Sequence, residues 1–185
     1  MSMFVSKAAL HNGLDLIKAS PTEVGQVEHI VCRPDIGKRQ VLTEATLDLE
    51  LGLVGDNWQA RGNRKTPEGL AHPDMQLNLM NARVIGLIAK TKSRWQLAGD
   101  QFFVDLDLSP ENLPPGTQLS IGTAVIEITA EPHLGCKKFI ERFGKEAAMF
   151  VNSGIGKSLN LRGVNAKVVQ PGKVSVGAKV AKLRV

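Results

Sequence analysis

Long apolar runs are missing from this sequence. The longest strongly apolar stretch, VIGLIA at residues 84–89, is far too short to cross a bilayer, and no apolar segment follows a basic start. A cytoplasmic protein without a membrane partner is the expectation. Cysteine is equally scarce: a secreted disulfide scaffold would carry more than Cys32 and Cys136, together with a signal segment, so two free thiols are expected. Aromatic residues make up only 4%. The basic C-terminal part offers Phe139, Phe143 and Phe150, which read as core residues and not as stacking platforms, so no nucleic-acid partner is expected.

What is present describes one compact domain. The 185 residues, 43% apolar and 22% charged, suffice for one well-filled core and are short for two independent domains. The net charge of +5 is uneven: residues 131–185 hold eleven Lys and Arg against three Asp and Glu, leaving the remainder net acidic. Such asymmetry favours a small anionic ligand or another acidic partner.

Residues 1–25 show no clear period and read as a peripheral segment, with GLDLIKASP as a short helix ending before Pro21. From residue 26 onward, VEHIV and QVLTEATLDLELGLVGD read as two strands with RPDIG as the turn between them. Residues 57–74 form a long polar loop of the functional kind. MQLNLMNARVIGLIAKT begins as a strand and continues as a helix capped by Asn81. QFFVDLDLS alternates as a half-buried strand, and TQLSIGTAVIEITA is strand, tight Gly122 turn and strand. One helix is predicted over 137–151, where Phe139, Phe143, Ala147 and Phe150 share a face, and RGVNAKVV and GKVSVGAKVAKL are closing strands. Many short strands, glycine turns and few helices indicate a mainly β barrel with a few helices packed on it.

Chemistry concentrates at EPHLGCKKF, residues 131–139. Cys136 follows Gly135 at the start of the predicted helix, beside Lys137, Lys138 and His133, all features that favour a thiolate. A blander reading makes it a small packed residue after a turn. His133 can serve as a base to the thiol or as a charge neighbour, but the sequence shows no third member of a triad. Two His-x-x-Cys units, HIVC and HLGC, contain the four ligands of a zinc site in His29, Cys32, His133 and Cys136. Residues three apart on a strand face opposite ways, which argues against His29 and Cys32 sharing one ion and makes Cys32 a core residue. GIGKS resembles the end of a phosphate-binding loop, but Val151 stands where that loop needs its first glycine and a helix stands where it needs a strand. His11 and His72 carry no specific signal.

Five segments in this order, GLVGDNW, MQLNLMNARVI, ENLPPGTQLSIGTAVIEIT, PHLGCKKF and LRGVNAKVVQPGKVSVGAKV, resemble the MOSC domain family, named for the C-terminal domain of molybdenum cofactor sulfurases. The resemblance covers residues 26–185 and looks like a small stand-alone bacterial-type member. It implies a distinctive MOSC-type β-barrel. It also implies that Cys136, at the position of the family's single cysteine, either carries sulfane sulfur as a persulfide or ligates molybdenum in a pterin cofactor. The activity implied is that of a molybdenum-dependent oxidoreductase or a sulfur transferase. His133 and Gly135 stand where the family's Arg-x-Pro-Cys-like pattern has its basic residue and proline.

On that reading Lys137, Lys138 and Arg162 are candidates for the pterin phosphate, and Gln76 and Asn78, alternating on one strand, for polar cofactor contacts. Full-length sulfurases carry a pyridoxal phosphate domain that generates the sulfur. None is visible in these residues, so pyridoxal phosphate would belong to a partner such as a cysteine desulfurase or other sulfur donor. The alternative function, of another class, is a non-catalytic anion-binding or interaction module in which Cys136 is structural.

Overall fold

The structure is a computed structural model that describes residues 4–184. Two short helices, α1 (Lys7–Asn12) and α2 (Leu14–Lys18), lead into β1 (Val24–Cys32), β2 (Gln40–Leu42), β3 (Glu44–Asp48), β4 (Gly52–Leu53) and α3 (Trp58–Arg61). Then come β5 (Leu77–Asn81), α4 (Ala82–Ala89), β6 (Phe102–Asp105), β7 (Gln118–Ile121) and β8 (Ala124–Ile128). The chain ends with α5 (Lys137–Phe143), α6 (Lys145–Asn152), α7 (Gly154–Ser158), β9 (Val164–Gln170), β10 (Gly172–Ser175) and β11 (Lys179–Lys182).

Seven strands close on themselves in the order β1, β6, β5, β9, β8, β7, β11 and back to β1, with β2 extending β1 at its C-terminal end. Every pairing in the ring is antiparallel except β5 with β6, which needs a crossover connection; α4 supplies it. A small second sheet, β10-β3-β4, lies beside the ring. The architecture is therefore the mainly β barrel with packed helices that the strand pattern indicates.

Two hydrophobic layers hold it together. Val27, Ile30, Leu77, Leu79, Phe102, Val104, Ile126 and Ala166 fill the barrel. Val31, Met80 and Phe103 face outward from the same strands and pack against Val84, Ile85, Phe139, Phe143 and Ala147 of the helices. This second layer overturns the half-buried reading of QFFVDLDLS, since Phe102, Phe103 and Val104 are all fully buried. Strict alternation describes a strand with one wet face, and β6 has helices where water was expected.

Local chemistry accounts for the other differences. QVLTEATLDLELGLVGD is three strands, because the Asp48 carboxylate accepts from the backbone N–H groups of Glu50 and Leu51 and turns the chain there. The helix predicted over 137–151 is two helices broken at Gly144, whose φ of 89° and ψ of 165° lie in a region that only glycine occupies readily. The four residues of its predicted apolar face are nonetheless all buried. Asn81 caps α4 as expected, its side-chain oxygen accepting from Arg83 and Val84 N–H. GIGKS is the short helix α7, capped by Ser153, and not a phosphate loop. Among the described residues no helix is long and apolar enough to cross a membrane.

Candidate functional site

Arg33, immediately after β1, is buried and reaches across to the turn after β4. Its Nε and Nη2 donate to the two oxygens of Asp56 at 2.9 and 2.8 Å, and its backbone N–H donates to the same carboxylate at 2.9 Å. Trp58 N–H adds a further bond to Asp56, so the carboxylate is wholly enclosed. The remaining guanidinium nitrogen, Nη1, donates to Asn78 Oδ1 at 2.8 Å and to the Gly99 carbonyl at 3.1 Å. Asn78, on β5, passes the network on by donating to Asn165 Oδ1 of β9 at 2.6 Å.

A second buried ion pair sits nearby. Asp100 has no exposed surface, and Arg162 Nη1 meets its two oxygens at 2.7 and 3.0 Å. His133 Nε2 lies 2.8 Å from the same carboxylate. Burial alone would raise the Asp100 carboxyl, but Arg162 and then His133 hold it down at about 2. Burial, reinforced by Arg162, pushes His133 below the usual imidazole range against the pull of Asp100. The ring is therefore neutral at pH 7, donates its Nε2–H to Asp100, and leaves Nδ1 as an acceptor. Gly163 makes this approach feasible: with φ at 115°, a Cβ there would stand 2.2 Å from the Leu79 carbonyl and 3.2 Å from the His133 ring.

Between the two pairs lies a cavity of about 220 Å³, whose walls include Arg33, Trp58, Arg61, His72, Asn78 and His133. Its electrostatics are one-sided. Arg39 and Arg142 come within 3.4 and 3.9 Å of the position a Gly99 Cβ would take, on the residue whose carbonyl Arg33 holds. Burial first, then Arg142 and Arg33, push the Arg39 guanidinium downward, and burial followed by Arg33 does the same for Arg61. Arg33, Arg39 and Arg61 thus share one enclosed carboxylate, Asp56, and Arg39 Nε, behind the cavity wall, is buried with no acceptor among the described residues. Such a surplus of fixed N–H donors suits a bound phosphate or carboxylate.

His133 and Asn78 line this cavity. Gln76 is buried but bridges backbone, donating to the Leu49 carbonyl and accepting from Val168 N–H. Arg162 is buried against Asp100, its guanidinium 4.9 Å from the Phe139 ring. Lys137 and Lys138 are exposed on the first turn of α5. Cys136 is exposed at the N-cap of that helix, with no side-chain cap bond, and is not among the residues lining the cavity. The loop before it is pinned by Asn152, which exchanges two hydrogen bonds with the Gly135 backbone.

The four candidate zinc ligands do not assemble, and among the described residues no group of three or more His, Cys, Asp or Glu is placed to hold a metal. His29 packs its ring on Trp95 and Phe103, Cys32 is buried in the barrel core, and His133 is committed to Asp100. Both cysteines are free thiols. Residues that the sequence did not single out, Arg33, Asp56, Arg61 and Asp100, carry most of the site's charge. The signal for Asp56 lay inside GLVGDNW; Arg33 opens the turn-like RPDIG and Asp100 follows Gly99, and neither gave one.

No family model matches the chain, and no curated protein matches it in sequence. Solved structures do share its fold. The YuaD protein from Bacillus subtilis superposes with a TM-score of 0.64 at 16% identity, over 87% of this chain and 97% of that one. YiiM from Escherichia coli superposes with a TM-score of 0.54 at 23% identity, over 86% and 70% of the two chains. YiiM from Geobacillus stearothermophilus gives 0.52 at 19% identity, over 86% and 75%. At these identities the likeness is one of fold, and it is consistent with a MOSC-like barrel.

Proposed function

We propose that this is a MOSC-type protein that binds the anionic end of a molybdenum pterin in the Arg33–Arg61 cavity and uses Cys136 as a molybdenum ligand or a persulfide carrier. The observation that carries the reading is the surplus of arginine: Arg33 and Arg61 line the cavity, Arg39 lies within electrostatic reach of both, and Asp56 is the carboxylate that opposes them. The residues fit the group at its phosphate end, where Arg61 offers N–H donors of the required kind beside Arg33, itself held in place by Asp56, Asn78 and Gly99. The cofactor, when bound, would supply the redox chemistry. A soft thiolate is the matching donor for molybdenum, and Cys136 lies exposed on the loop that begins at His133.

In the sulfur-carrier form of the reading, the Cys136 thiolate attacks the outer sulfur of a donor persulfide. The donor's S–S bond breaks, its thiolate leaves, and Cys136 holds the transferred sulfur. Such a donor, with any pyridoxal phosphate, belongs to a partner chain. Neutral His133, anchored by Asp100, can hold a proton near this loop without adding charge to it.

A second reading, an anion-binding module in which Cys136 has no chemistry, is favoured by the position of Cys136 outside the residues that line the cavity. Two measurements separate the readings. Protein expressed in cofactor-replete cells is analysed for molybdenum and pterin, and purified protein is incubated with a cysteine desulfurase and mapped by mass spectrometry. Molybdenum retained by wild type and lost in Cys136→Ser, or one added sulfur at Cys136, supports the first reading. Neither metal nor sulfur, with phosphate binding intact, leaves the anion-binding module.

A further inference from the structure

A second cavity, of about 340 Å³, shares only His133 with the arginine cavity. One part of its wall is apolar, from Pro132, Leu134 and Val151; the other is polar, from Lys157, Asn160 and Arg162. Leu134 is 52% exposed, an apolar side chain left open to solvent beside the cavity. Gly156 also lines it and contributes no side chain, since a Cβ there would stand 2.3 Å from the Phe150 carbonyl.

The charges of the wall define what can bind. Arg162 is compensated by ionised Asp100, and His133 is neutral, so both leave the cavity without net charge. Lys157 has no ion-pair partner among the described residues and contributes one positive charge. Arg162 adds a donor: Nη1 and Nη2 are taken up by Asp100 and the Ala98 carbonyl, while Nε is buried with no acceptor. A buried donor without an acceptor is uncommon and asks for an explanation. One uncompensated charge matches a monoanion better than a phosphate dianion, and the apolar side asks for a body to bury.

We infer that this second cavity binds a small monocarboxylate with an apolar body, the carboxylate held by Lys157 and Arg162 and the body lying against Pro132, Leu134 and Val151. The inference does not rest on the cofactor reading. It adds a ligand next to the arginine cavity, the two sharing His133 as a wall.

The test titrates benzoate into the full chain and follows backbone amide shifts, with benzamide as the uncharged isostere and inorganic phosphate as a second anion. Saturable shifts at Leu134, Val151 and Lys157 are expected with benzoate, and benzamide should bind about tenfold more weakly, the value of one charge-assisted hydrogen bond. Lys157→Gln should weaken benzoate by about tenfold as well, with an unchanged thermal midpoint because its side chain is exposed. Arg61→Gln should weaken phosphate and leave benzoate alone. Benzamide binding as well as benzoate overturns the inference. So do wild-type benzoate affinity in Lys157→Gln, shifts centred on Trp58 and Arg61, or no saturable shift at all. Absence of phosphate binding in the wild type, with benzoate binding intact, would count against the arginine cavity alone.

Discussion

His133 and Asp100 are joined by a 2.8 Å hydrogen bond to a carboxylate that no solvent reaches and that also carries Arg162. Removing the central charge leaves Arg162 buried and uncompensated. Asp100→Asn is therefore expected to lower the free energy of unfolding by about 3–5 kcal/mol. His133→Gln, which leaves the ion pair intact, should cost about 1–3 kcal/mol. Chemical denaturation of the two variants measures the difference, and equal losses would show that the arginine pair contributes nothing specific.

The same cluster sets the acid sensitivity. Asp100 has a folded pKa of about 2 against an ordinary value of 3.8, so its contribution is fully present above pH 4 and is lost as pH falls toward 2. The shift corresponds to about 2 kcal/mol at neutral pH. His133 and His29 are also held below their ordinary value, mainly by burial, so the unfolded chain takes up protons first as pH drops below 6.5. Both effects have one sign: stability should fall with decreasing pH from about 6.5 downward, with a second decline below 4. Unfolding free energies measured from pH 7 to 3 check this, and a plateau down to pH 4 would remove the histidines from the account.

Arg61 and Arg33 should respond differently to truncation although both line one cavity. Arg61 keeps much of its surface in solvent although its guanidinium is partly enclosed, and it makes no ion pair among the described residues, so Arg61→Ala should leave stability within about 0.5 kcal/mol and weaken inorganic phosphate binding by about tenfold. Arg33→Ala strands the enclosed Asp56 carboxylate and should cost about 3–5 kcal/mol whatever the ligand. Calorimetric titration alongside thermal melts separates the two outcomes.

These residues show how far the sequence was readable. Strand, Asn81 cap and helix in MQLNLMNARVI, and the Gly122 hairpin, were legible because each is decided within a few residues. The burial of Phe103 was not, because the helices that cover it come from both sides of β6 in the chain. His133 drew notice from its neighbourhood with Cys136, but its anchor Asp100 lies 33 residues away and comes from LAGDQ, which has no distinguishing pattern. Arg33 looked like a turn residue in RPDIG, and only the folded chain brings Asp56 to it. Gln76 looked like a ligand contact and instead closes the gap between Leu49 and β9, because a long amide can satisfy two backbone groups that the strands leave unpaired.

Glycine positions offer a stringent test of the packing. Gly163→Ala places a methyl group 2.2 Å from the Leu79 carbonyl at a φ of 115° and should destabilise by about 2–5 kcal/mol, disturbing His133 as well. Gly37→Ala, also at positive φ but with nothing within 4 Å, should cost only about 1 kcal/mol. Thermal melts of both variants, with the chemical shifts of the His133 ring, report whether strain or contact dominates.

Closure of the barrel has a consequence for how the chain folds. The seam that completes the ring joins Val24 to Ala181 and Gln26 to Lys179, pairing strands that lie far apart in the chain. Until β11 docks, β1 and β7 each keep an open edge capable of pairing with another chain. Closing this seam makes contacts of high sequence separation, so folding should be slow, and the unclosed chain passes through an interval of vulnerability to aggregation that the finished barrel does not have.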